Sequence, residues 1–200
     1  MINDSTALLR ALIVAPAMLA AVTCSQPAVY TPPSPSPTAP ARPAASTSAP
    51  ALGTSATATI RDLNGARVGT ATFTDTYAGL LVVGSITNLG LGAHGIHLHA
   101  VGKCDAPFTS AGPHFNPLNK QHGFENPNGP HLGDMANVDT PAAGALRFEM
   151  LVPGVTLKGT NALLDANGAA IVIHAARDDY KTDPAGDSGS RIACGVIVAR

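Results

Sequence analysis

From residue 53 onward, the chain alternates apolar and polar side chains with the two-residue period of β-strands. In the stretch SATATIRDL, Ala56, Ala58 and Ile60 share one face of an extended chain, and polar side chains take the other. Asn64 and Gly65 follow it and are typical of a hairpin turn. Further stretches with strand character are RVGTATFTD, LLVVGSI, IHLHAV, ALRFEMLV, AAIVIHA and RIACGVIVA. Since no stretch has a helical period, the pattern predicts about seven or eight strands in an all-β sandwich or flattened barrel.

Two long connections interrupt this strand pattern. Residues 102–137 and 177–190 are irregular and rich in turn-forming residues such as Gly, Pro, Asn and Asp. Loops of such length in a compact domain are usually functional, or are ordered by something other than their own core. We therefore expect these two loops to carry function.

The first 52 residues have the features of export and tethering rather than of a folded domain. Residues 11–22, ALIVAPAMLAAV, form an apolar run that is too short to span a bilayer but is typical of the core of an export signal. Cys24 follows directly and resembles the lipidation site of a bacterial lipoprotein, which predicts a signal peptide over 1–23; the alternative is a plain secretory signal. Residues 24–52 are rich in Pro, Ala, Ser and Thr and predict a disordered tether before a folded domain over 53–200. The predicted location is the periplasm or cell envelope, with a lipid anchor as the only membrane contact.

The net charge bears on possible binding partners, and the cysteine content bears on a possible disulfide. Twelve basic and 13 acidic residues give a net charge of −1, so no basic surface for nucleic acid is predicted. The chain has three cysteines. If Cys24 is lipidated or removed, Cys104 and Cys194 remain, and they would form one disulfide in an oxidising compartment.

The histidines are grouped rather than scattered, since six of the seven fall in three compact blocks. His97 and His99 are two residues apart in a predicted strand, so their side chains project from the same face. His174 lies on a distant apolar strand. Neutral imidazole is the commonest metal ligand in proteins, and these positions therefore indicate metal binding.

The long loop supplies a second group of candidate ligands. They are His114, His122, His131 and Asp134, at spacings of 8, 9 and 3 residues. Three imidazoles and one carboxylate form a four-coordinate set that suits zinc. A bound zinc ion would also explain how a loop so rich in Gly and Pro keeps a single shape.

Several of these blocks resemble the copper/zinc superoxide dismutases, and the resemblance covers nearly all of residues 53–200. The blocks are GIHLHAVGKC, TSAGPHFNP, HLGDMANV, AAIVIHA and GSRIACGVI. The resemblance implies a Greek-key β-sandwich, or flattened eight-stranded barrel, with two long functional loops and with one copper and one zinc ion per chain. The implied copper ligands are His97, His99, His114 and His174. The implied zinc ligands are His114, His122, His131 and Asp134, with His114 shared between the two metals.

The resemblance also implies roles for residues around the metals. Arg191 matches the arginine that guides and holds superoxide beside copper. Asp178 matches a carboxylate that links a copper-ligand histidine to a zinc-ligand histidine, although the adjacent Asp179 is the alternative. Cys104 and Cys194 match the intrachain disulfide of the family, and the early position of Cys104, directly after HAVGK, resembles the bacterial exported branch.

The implied activity is the dismutation of superoxide to oxygen and hydrogen peroxide by a redox-cycling copper, with Arg191 and His114 as catalytic residues. This activity would protect the cell envelope from superoxide. Lys120 and Lys181 are candidates for steering the substrate. The sequence leaves open whether the chain is a monomer or a homodimer.

Three other functions are compatible with parts of the sequence. A copper and zinc carrier would keep the fold without turnover, but such domains typically lack part of the copper set or the arginine. A copper-only variant of the family would lack His122, His131 and Asp134. A tethered all-β adhesion module would leave the histidine spacing unexplained.

Overall fold

The computed structural model of the protein describes residues 53–142 and 145–200. The predicted signal peptide, Cys24 and the predicted tether lie outside the described residues. Within the described ranges, the only helical element is a single 3-10 turn at Thr109–Ala111. No helix in these ranges is long and apolar enough to cross a membrane.

The described residues form ten strands. They are β1 (Ser55–Asp62), β2 (Arg67–Thr76), β3 (Gly79–Thr87), β4 (Gly92–His94), β5 (Ile96–His99), β6 (Val138–Thr140), β7 (Ala145–Val152), β8 (Ala170–His174), β9 (Arg191–Val196) and β10 (Val198–Ala199). Every stretch that the alternation predicts contains a strand. The prediction of about seven or eight strands missed β4 and β6, because three residues are too few to show an alternating pattern.

Eight of the ten strands belong to one curled antiparallel sheet. Its order is β5-β8-β9-β1-β2-β3-β7, and β10 pairs with β1. Strands β4 and β6 form a separate antiparallel pair. Strands β8 and β9 return after long connections to lie between β5 and β1, which is a Greek-key arrangement. The predicted all-β Greek-key fold is confirmed.

The hydrophobic core lies on one face of the sheet, as the alternation predicts. Ala56, Ala58 and Ile60 on β1 are buried, and Phe73 on β2 and Leu80 on β3 join them in the same cluster. The polar residues between them face outward. Burial of such apolar area is the main stabilising contribution to a domain of this size.

Strands β5 and β8 are buried on both faces, unlike β1 to β3. Ile96 and Leu98 point into the hydrophobic core. His97 and His99 alternate with them and therefore point to the opposite face. In the antiparallel register, His97 lies opposite Val172 and His99 opposite Ala170, which places His174 on the same face as both histidines.

The long loop covers this histidine face by pairing with the free edge of β5. The Leu98 N–H donates to the Gly133 carbonyl at 2.9 Å, and the Leu98 carbonyl accepts the Phe115 N–H at 2.8 Å. Bridge pairings then set Asp134 opposite His97, and His114 opposite His99. The strand edge therefore brings candidate ligands that are far apart in sequence to one place.

A small second cluster fixes the start of the loop over β8 and β9. Phe108 and Ala111 pack against Val172 and Cys194, together with Ala170 and the half-buried Cys104. Cys104 and Cys194 form a disulfide, so the implied pairing is confirmed. Residues 104–112 are consequently held beside the histidine face by apolar packing and by a covalent bond.

Candidate metal centre

The structure brings the candidate ligands together as two adjoining, buried groups. The first group is His97, His99, His114 and His174, and the second is His114, His122, His131 and Asp134. Within each group, one ligand atom per residue lies within 4.8 Å of all the others. His114 is common to both groups.

Four buried nitrogens in the first group have no hydrogen-bond partner. They are His97 Nδ1, His99 Nε2, His114 Nε2 and His174 Nε2. A buried polar atom without a hydrogen-bond partner costs folding free energy, and such atoms are rare in native proteins. Four that converge on one point fit a metal ion that accepts their lone pairs, and imidazole nitrogens suit copper as well as zinc, iron and nickel.

The outer nitrogens of three of these histidines are hydrogen-bonded, which fixes each ring. His97 Nε2 donates to Asp178 Oδ2 at 2.7 Å, and His99 Nδ1 donates to the Gly112 carbonyl at 2.9 Å. His174 Nδ1 donates to the Gly189 carbonyl at 3.2 Å. Because the outer nitrogen carries the proton, the inner nitrogen presents a lone pair.

The second group surrounds one carboxylate oxygen. Asp134 Oδ1 lies 2.9 Å from His114 Nδ1, 3.0 Å from His122 Nδ1 and 3.1 Å from His131 Nδ1. The other oxygen, Oδ2, accepts the backbone N–H groups of Gly123 and His131, which orients the carboxylate. Three imidazole nitrogens and one carboxylate oxygen at a single point fit a tetrahedral zinc site.

Burial and hydrogen bonding set different pKa values in the two groups. Burial, with smaller contributions from neighbouring histidines, lowers the pKa of His174 to about 3 and that of His114 to about 4. Both rings are therefore neutral at pH 7 and can act as ligands. Burial also opposes protonation of His122, but hydrogen bonds to Asp134 and Asp178 outweigh it and raise its pKa to about 9. The carboxylates that favour this charged ring would also attract a metal cation, which must displace the ring proton to bind His122.

Asp178 joins the two groups. Its Oδ2 accepts from His97 at 2.7 Å, and its Oδ1 accepts from His122 Nε2 at 3.0 Å. These hydrogen bonds hold the pKa of this buried carboxyl well below its usual range, although burial alone would raise it. Asp179, the alternative in the sequence, is exposed and accepts hydrogen bonds from Lys181 and Thr182 instead.

A glycine makes the Asp178 contact possible. Gly186 has a φ of +64°, and a Cβ placed there would overlap Asp178 Oδ1 and His122 Nε2. We expect Gly186→Ala to separate these atoms and to weaken zinc binding by about tenfold or more. Competition with a chromogenic chelator measures this change. Gly159→Ala is the matched control, because Gly159 also has a positive φ but has open space around its Cβ. Equal zinc affinity in the two variants would contradict the prediction.

A cavity of about 790 Å³ leads to this centre. His114, His131, Arg191 and Lys120 are among the residues that line it. Arg191 is half-buried, and its Nη1 and Nη2 donate to the carbonyls of Phe108 at 2.7 Å and Gly112 at 2.8 Å. The Gly112 carbonyl also accepts from His99, so a single carbonyl connects the guanidinium to the histidine group.

The two lysines singled out in the sequence have different surroundings. Both lysines are exposed, but Lys120 lines the cavity, whereas Lys181 forms an ion pair with Glu125 at 2.7 Å. His94 places both ring nitrogens against backbone carbonyls, those of His174 and Gly90. Neither nitrogen of His94 is free to bind a metal.

Sequence reasoning missed several residues that shape the centre. The Gly112 carbonyl is a backbone group, so the residue type at this position does not indicate its role. Gly186 is one of 20 glycines, and its close approach to Asp178 depends on tertiary structure. Asn137 and Tyr180, which contact Asp178, have the polar character of ordinary loop residues.

The fold and the two histidine groups define an all-β metalloprotein with two adjoining metal sites. The family model for copper/zinc superoxide dismutase matches residues 67–197. The chain is 47% identical over 144 residues to superoxide dismutase [Cu-Zn] 1 of Aquifex aeolicus, covering 70% of this chain and 85% of that protein. It is 42% identical over 148 residues to superoxide dismutase [Cu-Zn] of Caulobacter vibrioides, covering 72% and 85%. The crystal structure of a double mutant of a SOD-like protein from Bacillus subtilis matches with a TM-score of 0.69 and 41% identity, covering 71% of this chain and 96% of that one.

The chain therefore belongs to the copper/zinc superoxide dismutase family. It is an oxidoreductase of the superoxide dismutase class, and its cofactors are one copper and one zinc ion. The unpaired nitrogens of the first group and the carboxylate-centred second group fit these two ions.

Proposed function

We propose that this chain dismutates superoxide at a binuclear centre in which His114 bridges copper and zinc. The observation that carries the proposal is the placement of the His114 ring. Its Nε2 faces the three other unpaired histidine nitrogens, and its Nδ1 faces Asp134 Oδ1 at 2.9 Å. The copper ligands are then His97, His99, His114 and His174. The zinc ligands are His114, His122, His131 and Asp134.

The residues of the chain supply binding, orientation and protons. Bound copper supplies a one-electron couple that oxidises one superoxide to oxygen and reduces the next to peroxide. Arg191 provides a fixed positive charge in the wall of the cavity, and we assign it to holding the superoxide anion. The reaction consumes two protons for every two superoxide ions, and we assign His114 Nε2 to the delivery of one of them.

Spin coupling tests the bridge. When Co²⁺ occupies the zinc site and Cu²⁺ the copper site, a shared imidazolate couples the two unpaired-electron systems and suppresses the copper EPR signal. We expect coupling in the unmodified chain and an uncoupled copper signal in His114→Ala. His94→Ala is the matched control, because His94 lies in the same region but ligates neither group. An uncoupled signal in the unmodified chain with both metals bound would overturn the bridge.

Lys120 is the lysine that we assign to steering superoxide. Lys120 and Arg191 line the cavity together with Asp165 and Asp183, so with neutral histidines these side-chain charges sum to zero. Removing Lys120 leaves the two carboxylates in excess. Lys181 does not line the cavity, so its removal changes the potential there less than the removal of Lys120 does.

We expect Lys120→Gln to lower kcat/KM by about two- to fivefold at low ionic strength and to flatten its dependence on salt. In the unmodified chain, kcat/KM should fall as ionic strength rises. Pulse radiolysis over a series of salt concentrations measures both effects, with Lys181→Gln as the charge-matched control. A rate that does not respond to salt, or equal effects of the two variants, would remove the steering role.

We further propose that the enzyme is exported and acts on superoxide in the cell envelope, anchored through a lipid on Cys24. The apolar run at 11–22, the position of Cys24 and the Pro-rich stretch after it support this location. The disulfide is also compatible with an oxidising compartment. Partition of the mature protein into detergent, compared with Cys24→Ser, tests the anchor. If the mature protein and Cys24→Ser partition equally, Cys24 carries no lipid anchor and the N-terminal segment is a plain secretory signal.

A further inference from the structure

Asp178, in the loop over residues 177–190, is itself held in place by Asn137, in the loop over residues 102–137. Asn137 Nδ2 donates to the Asp178 carbonyl at 2.9 Å, and Asn137 Oδ1 accepts the Asp178 N–H at 2.8 Å. Asn137 comes three residues after Asp134 and directly before β6. Both backbone polar groups of Asp178 are thus satisfied by one side chain, which fixes its main chain in two directions.

Tyr180 completes this arrangement. Its hydroxyl accepts the Asn137 N–H at 2.7 Å, and its own N–H donates to Asp178 Oδ1 at 2.7 Å. Its ring lies 5.3 Å, between centroids, from that of Phe124 on the first loop. Tyr180 therefore contacts both Asn137 and the carboxylate that Asn137 supports.

We propose that Asn137 and Tyr180 are positioning residues that act through Asp178 to set the geometry of both metal sites. Neither residue belongs to the two ligand groups. Asp178 has one oxygen on His97 and the other on His122, so a shift of its main chain disturbs a ring in each group. The inference rests on the proposed zinc ligation by His122, and it adds the residues that keep the His122 ring in its orientation.

The two loops also meet at a contact that does not involve Asp178. The ion pair between Lys181 and Glu125 joins the same loops at the exposed surface. A general tethering role would make this pair as important as Asn137 and Tyr180. A role through Asp178 would not, because the ion pair touches neither Asp178 nor the histidines.

The experiment uses the purified chain with zinc or Co²⁺ in the zinc site. Asn137→Ala and Tyr180→Phe should each accelerate zinc release to a chromogenic chelator by about tenfold and shift the visible absorption bands of the Co²⁺ form. Lys181→Gln should leave the release rate and the bands unchanged. Because the two positions act through one carboxylate, the double variant should release zinc more slowly than the product of the two single effects predicts.

Two outcomes would overturn the inference. The first concerns Tyr180→Phe, which removes a single oxygen atom. If its zinc release rate and Co²⁺ spectrum match those of the unmodified chain, the inference fails. The other is an equal acceleration in Lys181→Gln, which would indicate general tethering. His122→Ala separates this inference from the assignment beneath it. If that variant retains zinc normally, the ligand assignment fails; if it loses zinc while Asn137→Ala and Tyr180→Phe behave as the unmodified chain, only the positioning role fails.

Discussion

Replacing Arg191 with alanine should lower kcat/KM for superoxide by about 100-fold while leaving the copper and zinc content unchanged. The guanidinium is held by the carbonyls of Phe108 and Gly112, so its charge has a fixed place in the cavity. A charge that does not reorganise when the anion arrives stabilises that anion more than mobile water does. Since Arg191 belongs to neither ligand group, its loss should not release the metals.

Arg191→Lys is the informative partner of this variant. Lysine keeps the positive charge but lacks the planar fork that two carbonyls can hold at once. We therefore expect a rate between those of the alanine variant and the unmodified chain. Pulse radiolysis measures turnover, and atomic absorption measures metal content in the same samples. Turnover of Arg191→Ala within twofold of the unmodified chain, with both metals bound, would contradict the role of Arg191.

The second large effect is expected from the disulfide. Cys104 and Cys194 are 90 residues apart, and closing a loop of that length stabilises a fold by about 4 to 5 kcal/mol in the chain-entropy model. Small domains have a free energy of unfolding of only about 5 to 15 kcal/mol. The double variant Cys104→Ala with Cys194→Ala should therefore lose a large part of its stability, measured by urea unfolding of the metal-free chain.

The same variant should also lose activity before it unfolds. The disulfide holds residues 104–112, and this segment contains both carbonyls that orient Arg191. We expect turnover at low temperature to fall toward that of Arg191→Ala. The unmodified chain after reduction is the control, and it should behave as the double variant does. An unfolding free energy within about 1 kcal/mol of the oxidised chain would contradict the structural role of the disulfide.

The local sequence pattern was sufficient to predict most of the strands and the placement of several metal-centre histidines. The two-residue period located all the longer strands and set His97 and His99 on one face. It could not show β4 and β6, which are short and depend on each other for pairing. Family resemblance, rather than spacing, joined His174 to the histidines of β5, and the antiparallel register of β5 and β8 explains why they meet.

Contacts between the two long loops could not be predicted from the sequence. Lys120 and Lys181 looked equivalent as steering charges, but the fold places one in the cavity and the other beside Glu125. Asp178 was distinguished from Asp179 only by resemblance, whereas in the structure one is buried and the other exposed. Such contacts depend on how two irregular segments approach each other, and no periodic pattern encodes that approach.

Dismutase activity is tested by measuring copper content, zinc content and superoxide turnover in one preparation of the purified chain. We predict one copper and one zinc per chain, with fast turnover that disappears when only zinc is bound. In the proposed centre, the four converging nitrogens would hold the copper ion and the group around Asp134 the zinc ion. A chain that binds both metals at this stoichiometry but does not turn over superoxide would contradict the proposed dismutase activity and indicate a metal carrier.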